Sequence, residues 1–135
     1  MSTRTSTVSG NEPLVDLVKT LSVAGSLTIS DSGKVCYLKS ATGRAINLPA
    51  PTSGFKLKVV TAQTFATTAW TFVSTGANIR GGAIVNSVFV ASAGTTTITL
   101  SASAETLGDW FEITSDGTSY FINGVYAAAS GVAFS

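Results

Sequence analysis

The sequence contains no histidine, and this absence removes several classes of catalytic site at once. A Ser-His-Asp triad, a Cys-His dyad and an HExxH zinc site all need imidazole as a base or a ligand. The sequence also lacks a GxxxxGK[ST] loop, a GxGxxG fingerprint and EF-hand spacing of acidic residues. We therefore predict that the protein binds no cofactor.

The nearest pair of carboxylates that could serve glycoside hydrolysis is Asp109 and Glu112. Residues three apart on a strand point to opposite faces, so these two groups cannot converge on one substrate without a bulge. We predict that the protein is not an enzyme.

Cysteine and long apolar runs are equally scarce. Cys36 is the single cysteine, which excludes an intrachain disulfide and a multi-cysteine zinc site, and we predict that it is a buried residue of a strand. No apolar run is long enough to span a bilayer, and the first ten residues lack the hydrophobic core of a secretory signal. We expect no membrane partner.

Charged residues make up 11% of the chain, against roughly 25% in an ordinary soluble domain. The formal net charge of +1, without Lys and Arg runs that alternate with aromatic residues, argues against nucleic acid as a partner. A chain so poor in charge either has a weakly polar exterior or hides much of its surface against other subunits, and the second face of the hairpin described below favours the latter. We therefore expect an oligomer.

Residues 22–135 have the pattern of one all-β domain. Short runs of β-branched and aromatic residues are separated by Gly, Asp, Ser and Pro at intervals of about eight to twelve residues. This pattern predicts a jelly-roll-like β-sandwich. Besides the two strands of a hairpin within Gly108–Gly124, the predicted strands are 27–29, 35–38, 45–48, 55–59, 70–73, 83–85, 88–90, 97–100 and 131–134. Strands 35–38 and 45–48 are expected to form another hairpin around Thr42-Gly43.

Residues 1–21 are predicted to be an N-terminal arm, extended or partly helical. The first ten residues are rich in Ser and Thr, which is poor material for a packed element. Asn11 is a suitable N-cap for a short helix that would place Leu14, Leu17, Val18 and Leu21 on one face. An extended segment with alternating apolar residues fits this stretch almost as well.

The segment Gly108–Gly124 reads as a hairpin around Asp116-Gly117, which suits a two-residue type I′ turn. That turn would pair Ile113 with Tyr120 and Phe111 with Ile122. One face of the hairpin would then be a core face made of Phe111, Ile113, Tyr120 and Ile122. The other face would carry Trp110, Glu112, Thr114, Ser119, Phe121 and Asn123.

The second face holds two large aromatic side chains, Trp110 and Phe121, that a solitary domain has little reason to expose. They are compatible with a sugar-stacking platform, with a subunit interface or with the core of a second sheet. We predict a candidate subunit interface that consists of Trp110, Glu112, Phe121 and the C-terminal Phe134.

A distinctive pattern of turn and strand residues occurs in two stretches, SDSGKVCYLKSATGRAINLPAP at residues 30–51 and GDWFEITSDGTSYFING at residues 108–124. These stretches resemble the small β domains of capsid decoration (cement) proteins of tailed bacteriophages. The resemblance implies a jelly-roll-like subunit that forms a homotrimer on the outer capsid surface of the virion. There it would bridge copies of the major capsid protein and stabilise the shell.

The arm lies outside the stretches that carry the resemblance, and we hypothesise that it anchors the protein to the capsid through Arg4, Leu14, Leu17 and Val18. Related β modules also occur in phage tail fibres, so a tail-fibre or receptor-binding module is the main alternative. A carbohydrate-binding module that uses Trp110 is a third possibility.

Overall fold

A computed structural model describes residues 17–135 of the chain, which fold into two packed β-sheets. The prediction of an all-β sandwich is confirmed. In chain order the strands are β1 (Val18–Leu21), β2 (Gly25–Ser26), β3 (Val35–Leu38), β4 (Ala45–Asn47), β5 (Lys56–Thr61), β6 (Trp70–Val73), β7 (Ile79–Val85), β8 (Val88–Thr95), β9 (Thr97–Leu100), β10 (Trp110–Ser115), β11 (Tyr120–Tyr126) and β12 (Val132–Phe134).

The seven-stranded sheet has the order β1-β3-β5-β10-β11-β7-β8, and the five-stranded sheet has the order β12-β9-β6-β4-β2. The first six strands alternate between the two sheets. Strands β1, β3 and β5 therefore pair in parallel in one sheet, and β2, β4 and β6 pair in parallel in the other. Parallel neighbours need a crossover connection, and here a strand of the opposite sheet supplies it.

The predicted hairpin between residues 35–38 and 45–48 is wrong, because β3 and β4 lie in different sheets. Gly43 explains the difference. Its backbone N–H donates to the Thr68 carbonyl at 2.9 Å, and a Cβ at this position would overlap the backbone of Thr68 and Ala69. This glycine therefore permits a close approach of two chain segments while the chain crosses to the other sheet.

The strand predicted at residues 27–29 is also wrong. A two-residue strand, β2, precedes it, and a 3-10 helix spans Ile29–Asp31. A capping box fixes this helix, because the Asp31 carboxylate accepts a hydrogen bond from the Thr28 backbone N–H at 2.9 Å. The β-propensity of the segment is overridden by this local side-chain contact.

The end of the predicted arm is extended, which was one of the two alternatives for this stretch. Residues Val18–Leu21 form β1, an edge strand of the seven-stranded sheet that pairs in parallel with β3. The other part of the arm, including Arg4 and Leu14, lies outside the described residues.

The hairpin within Gly108–Gly124 exists, but its predicted register is wrong by two residues. Ile113 pairs with Ile122, and Phe111 pairs with Gly124. Side chains alternate with a period of two, so a shift of two residues leaves every side chain on its predicted face. Phe111, Ile113, Tyr120 and Ile122 are all buried, which confirms the predicted core face.

The shift of register originates in the turn. Ser115 pairs with Tyr120, so the loop contains four residues and not two. The Asp116 carboxylate accepts hydrogen bonds from the backbone N–H groups of Thr118 and Ser119, both at 2.9 Å. These bonds close the wider loop, an alternative that Asp-Gly chemistry alone did not exclude.

Aromatic side chains join the two sheets in the core. Phe72 of the five-stranded sheet meets Phe111 of the seven-stranded sheet edge to face, with ring centroids 5.1 Å apart. Trp70 lies beside Phe72 on the same strand, as predicted, and both are completely buried. Cys36 is buried as well, and burial raises the pKa of its thiol to about 11.

Candidate binding face

One face of the seven-stranded sheet is turned away from the five-stranded sheet, and we call it the outer face. The alternation along each strand shows which residues belong to it. In β10 the residues Phe111, Ile113 and Ser115 are buried between the sheets, whereas Trp110, Glu112 and Thr114 point outward. The same alternation in β11 directs Phe121, Asn123 and Val125 to the outer face.

Apolar side chains cross the outer face in a single line, one from each of six neighbouring strands. The pairing registers place them directly beside one another from β3 to β8. With strands about 4.8 Å apart, the line is roughly 24 Å long. This apolar row consists of Tyr37, Val60, Trp110, Val125, Ile84 and Phe89.

The apolar row is most exposed toward β8. Phe89 is 60% exposed, Val125 45% and Ile84 40%. The ring of Phe89 extends over Gly82, where a Cβ would lie 2.6 Å from the ring Cζ atom. The glycine thus leaves room for the Phe89 ring to lie against the sheet. Monomeric proteins seldom expose a contiguous line of large apolar side chains without a partner for it.

The two rows on one side of the apolar row are rich in charged and polar side chains. The nearer row contains Lys58, Glu112 and Asn123, which are paired across β5, β10 and β11. The Nζ atom of Lys58 lies 4.9 Å from the centroid of the Trp110 ring, a cation–π contact. The farther row contains Lys56, Thr114, Phe121 and Arg80, again paired across neighbouring strands.

Three of the four residues of the predicted interface lie together on the outer face. They are Trp110, which is half-buried, Glu112, and Phe121, which is 43% exposed. Phe134 does not join them, because it lies in β12 at the edge of the five-stranded sheet and packs against the core. Of the residues predicted for the arm, Leu17 and Val18 are described, and both are about half exposed.

The sequence reasoning missed five members of the apolar row: Tyr37, Val60, Ile84, Phe89 and Val125. A signal for them is present in the sequence. Each is a large apolar residue at the position opposite in parity to the buried residues of its own strand, as Val60 is beside Val59. The signal becomes readable only when the strand order shows that these positions are neighbours.

The two carboxylates weighed as a catalytic pair lie on opposite faces of the seven-stranded sheet. Asp109 is buried, and its carboxylate accepts hydrogen bonds from the backbone N–H groups of Thr106 at 2.9 Å and Ala127 at 3.2 Å. Glu112 points outward between Lys58 and Asn123. Asp109 therefore holds two loops together, which is a structural role.

Asp31 is another buried carboxylate that is occupied by local contacts. It forms ion pairs with Lys19 at 3.2 Å and with Lys34 at 3.4 Å. Burial by itself raises the pKa of Asp31, but the hydrogen bond from Thr28 and the two ammonium groups outweigh burial, so that the pKa lies below its ordinary value. The contacts of Asp31 tie β1 to the turn that precedes β3.

The described residues contain a further concave region, but no cluster of metal-binding side chains and no membrane-spanning helix. A cavity of about 180 Å³ lies between residues 19–27 and Ile46, where β1 and β2 form the edges of the two sheets. Within residues 17–135, no three His, Cys, Asp or Glu side chains converge on a common point where a metal ion could bind. No helix in this part of the chain has the length and apolar character needed to cross a membrane.

Comparisons with known proteins found no match to a family model, to a curated protein or to a solved structure.

Proposed function

We propose that this chain is a structural virion protein that binds the outer surface of a phage capsid and stabilises the shell by bridging major capsid subunits. The observation that carries the proposal is the apolar row across the outer face. A protein whose work is to bury surface between other subunits needs a preformed face of this kind, and the sheet presents one without any rearrangement.

The size of the outer face favours a protein that acts in many copies. Its three rows cover about 24 Å across the strands and roughly 20 Å along them, which is on the order of 500 Å². A stable interface usually buries about 800 Å² on each partner. One outer face would thus bind weakly, whereas a homotrimer docked on a repeating lattice would gain avidity from several such contacts.

Stabilisation of the shell would follow from mass action. A protein that binds the assembled lattice but not dispersed capsid subunits shifts the equilibrium toward the assembled state. Each bound copy adds its own contribution, so shell stability should rise with occupancy. No catalytic step is part of this mechanism.

The test of the proposal is the copy number of this chain in purified virions, measured by quantitative mass spectrometry relative to the major capsid protein. A near-stoichiometric ratio is the expected result, and particles from a phage that lacks the gene provide the control. A few copies per particle would instead indicate the alternative, a tail-fibre or receptor-binding module. Complete absence from virions would refute both assignments.

The proposed anchoring arm is tested by deleting residues 2–16. Residues 18–21 belong to a sheet strand, so the deletion must end before them if the fold is to remain intact. We expect reduced occupancy on the shell because Arg4 and Leu14 are removed. Unchanged occupancy would show that residues 2–16 are not an anchor and would leave only Leu17 and Val18 of the proposed anchoring residues.

A further inference from the structure

We propose that the outer face binds an acidic protein surface, with carboxylates of the partner against Lys56, Lys58 and Arg80 and with apolar side chains against the apolar row. The inference depends on the proposed function only where it takes this partner to be the capsid shell. It assigns to the outer face a contact with a different protein, in place of the contact between copies of this chain that was predicted from the sequence.

The charge of the outer face differs from the formal charge of the chain. Most acidic side chains in the described residues point inward or are already occupied. Asp31 is 3% exposed and Asp109 is 6% exposed. One Glu105 carboxylate oxygen is buried, and the other accepts a hydrogen bond from the Phe65 backbone N–H at 2.9 Å. The near-neutral composition therefore coexists, within residues 17–135, with a surface on which basic groups predominate.

On the three rows of the outer face, three cations stand beside a single anion. Lys56, Lys58 and Arg80 supply the positive charge, and Glu112 is the only acidic residue in these rows. The two described ion pairs of the molecule both involve Asp31, so neither uses a cation of the outer face. A partner that supplies carboxylates would complement this excess of positive charge.

The same charge pattern argues against a second copy of this chain on the outer face. A two-fold symmetric contact whose axis runs parallel to the strands would set the three cations of one copy against the three cations of the other, with only Glu112 of each copy to compensate. Like charges brought together in an interface weaken it. We therefore expect self-association to use another surface, and the edge strand β12 of the five-stranded sheet is one candidate.

Single-stranded nucleic acid fits the outer face less well than a protein does. Base stacking requires exposed aromatic rings at intervals that match successive bases. Trp110 is half-buried with Lys58 over its ring, and the other two rings of the apolar row, Tyr37 and Phe89, lie two and three strands away from it, about 10 Å and 14 Å. Phe121 lies two rows away along the strands, so no two of these rings have the spacing of successive bases. The remaining positions of the apolar row include Val60, Val125 and Ile84, aliphatic side chains that protein partners bury.

The partner surface is further constrained by the spacing of the rows. Lys58 lies one row from the apolar row, about 7 Å away, and Lys56 and Arg80 lie two rows away, about 14 Å. A complementary surface therefore carries an apolar strip with carboxylates on one side of it. An amphipathic strand or helix with acidic residues along one flank meets this requirement.

The main experiment measures binding to shells purified from a phage that lacks the gene for this chain. Wild-type protein and the variant Lys58→Glu/Arg80→Glu are titrated onto the shells and recovered by sedimentation. We expect the double reversal to weaken binding by at least about tenfold, because two attractive contacts become repulsive. Arg44→Glu should change binding less than about twofold, since Arg44 is an exposed cation beside β4 of the other sheet. It is the matched control for the single reversal Arg80→Glu, which changes the net charge by the same amount.

The apolar row is tested in the same assay by Phe89→Ala. Leu107→Ala serves as its control, because both side chains are 60% exposed but Leu107 lies in a loop outside the outer face. We expect only Phe89→Ala to weaken binding. Circular dichroism and thermal melting must show native folding for each variant before its binding is interpreted.

A second probe separates this inference from the proposed function. Amide chemical shifts of the isotope-labelled protein are followed during titration with a peptide of alternating Glu and Leu, with its Lys/Leu counterpart and with oligothymidine. We expect shifts in β5, β7, β10 and β11 with the Glu/Leu peptide alone. Stronger binding of oligothymidine or of the Lys/Leu peptide, or shifts confined to other strands, would overturn the assignment.

The outcomes of the two experiments are distinguishable. Wild-type protein that does not bind shells but does bind the Glu/Leu peptide through the outer face refutes the capsid role and supports the surface. Wild-type protein that binds shells, together with a double reversal of equal affinity, refutes the surface and leaves the capsid role standing.

Discussion

Replacing Asp31 by asparagine should destabilise the domain by about 2 kcal/mol at neutral pH. The side chains of Lys19 and Lys34 are 36% and 27% exposed, so each ion pair contributes only about 0.5 kcal/mol. The charged hydrogen bond to the Thr28 backbone N–H, at 2.9 Å, contributes about 1 kcal/mol more than its amide equivalent would. For a chain of 135 residues, this sum lowers Tm by roughly 8 °C.

The pH dependence of this stability difference shows whether it comes from the charge of Asp31 or from the changed packing of the side chain. The pKa of Asp31 lies below its ordinary value of 3.8 in the folded state. Its stabilising contribution is therefore complete above the pKa of the unfolded chain and disappears as the pH falls through the lower pKa of the folded state. The difference between the wild type and Asp31→Asn should be largest at pH 7 and should shrink below about pH 4.

Urea unfolding, followed by tryptophan fluorescence at pH 7 and at pH 3, measures the stability loss of Asp31→Asn and its decrease at low pH. Asp116→Asn is the matched control, because the pKa of Asp116 is also lowered, there by the backbone N–H groups of Ser119 and Thr118. Asp116 is exposed and takes part in neither of the described ion pairs, so water screens its charge and Asp116→Asn should cost less than Asp31→Asn. A difference for Asp31→Asn that is as large at pH 3 as at pH 7 would contradict the electrostatic explanation.

Two further predictions concern the interior. Gly81 has φ +102°, and a Cβ there would strike the Ile122 carbonyl oxygen, whereas Gly33 has φ +88° with open space around it. Urea unfolding should therefore show that Gly33→Ala lowers the free energy of unfolding by about 1 kcal/mol, from backbone strain alone. Gly81→Ala should lower it by at least about 2 kcal/mol more, because strain and steric overlap add. Equal losses for the two variants would disprove the steric argument. The thiol of Cys36 has a pKa of about 11 and is completely buried, so it should not react with iodoacetamide at pH 8 until urea unfolds the protein. Intact-mass spectrometry measures the extent of labelling. Labelling of the folded protein at the same rate as the unfolded protein would refute this prediction.

Alternation within a strand was sufficient to predict the core face of the hairpin, because burial follows that alternation. Phe111, Ile113, Tyr120 and Ile122 are buried although the predicted register was wrong. The same alternation is visible in β5, where Phe55, Leu57 and Val59 are buried and alternate with lysines. These predictions depend on parity alone. Parity is a local property, so it can be determined without knowledge of the neighbouring strands.

The order of the strands could not be predicted in the same way. The chain between β3 and β4 has the turn residues of a hairpin, yet it crosses to the other sheet, because Gly43 packs against the backbone of Thr68 and Ala69. That contact joins residues about 25 positions apart, and no local propensity contains it. The apolar row was missed for the same reason, since its members become neighbours only through five strand pairings.

The arrangement of cations beside the apolar row can serve the protein both before and after it binds a partner. An exposed apolar line on a sheet invites unspecific association, and lysines are the usual protection against it. Lys58 provides this protection directly, because its ammonium group lies 4.9 Å from the centroid of the Trp110 ring. An acidic partner would draw the same ammonium group into an ion pair and leave the indole free for apolar contact. The basic residues would thus disfavour partners that lack carboxylates and attract an acidic partner. A purely apolar row could not make this distinction.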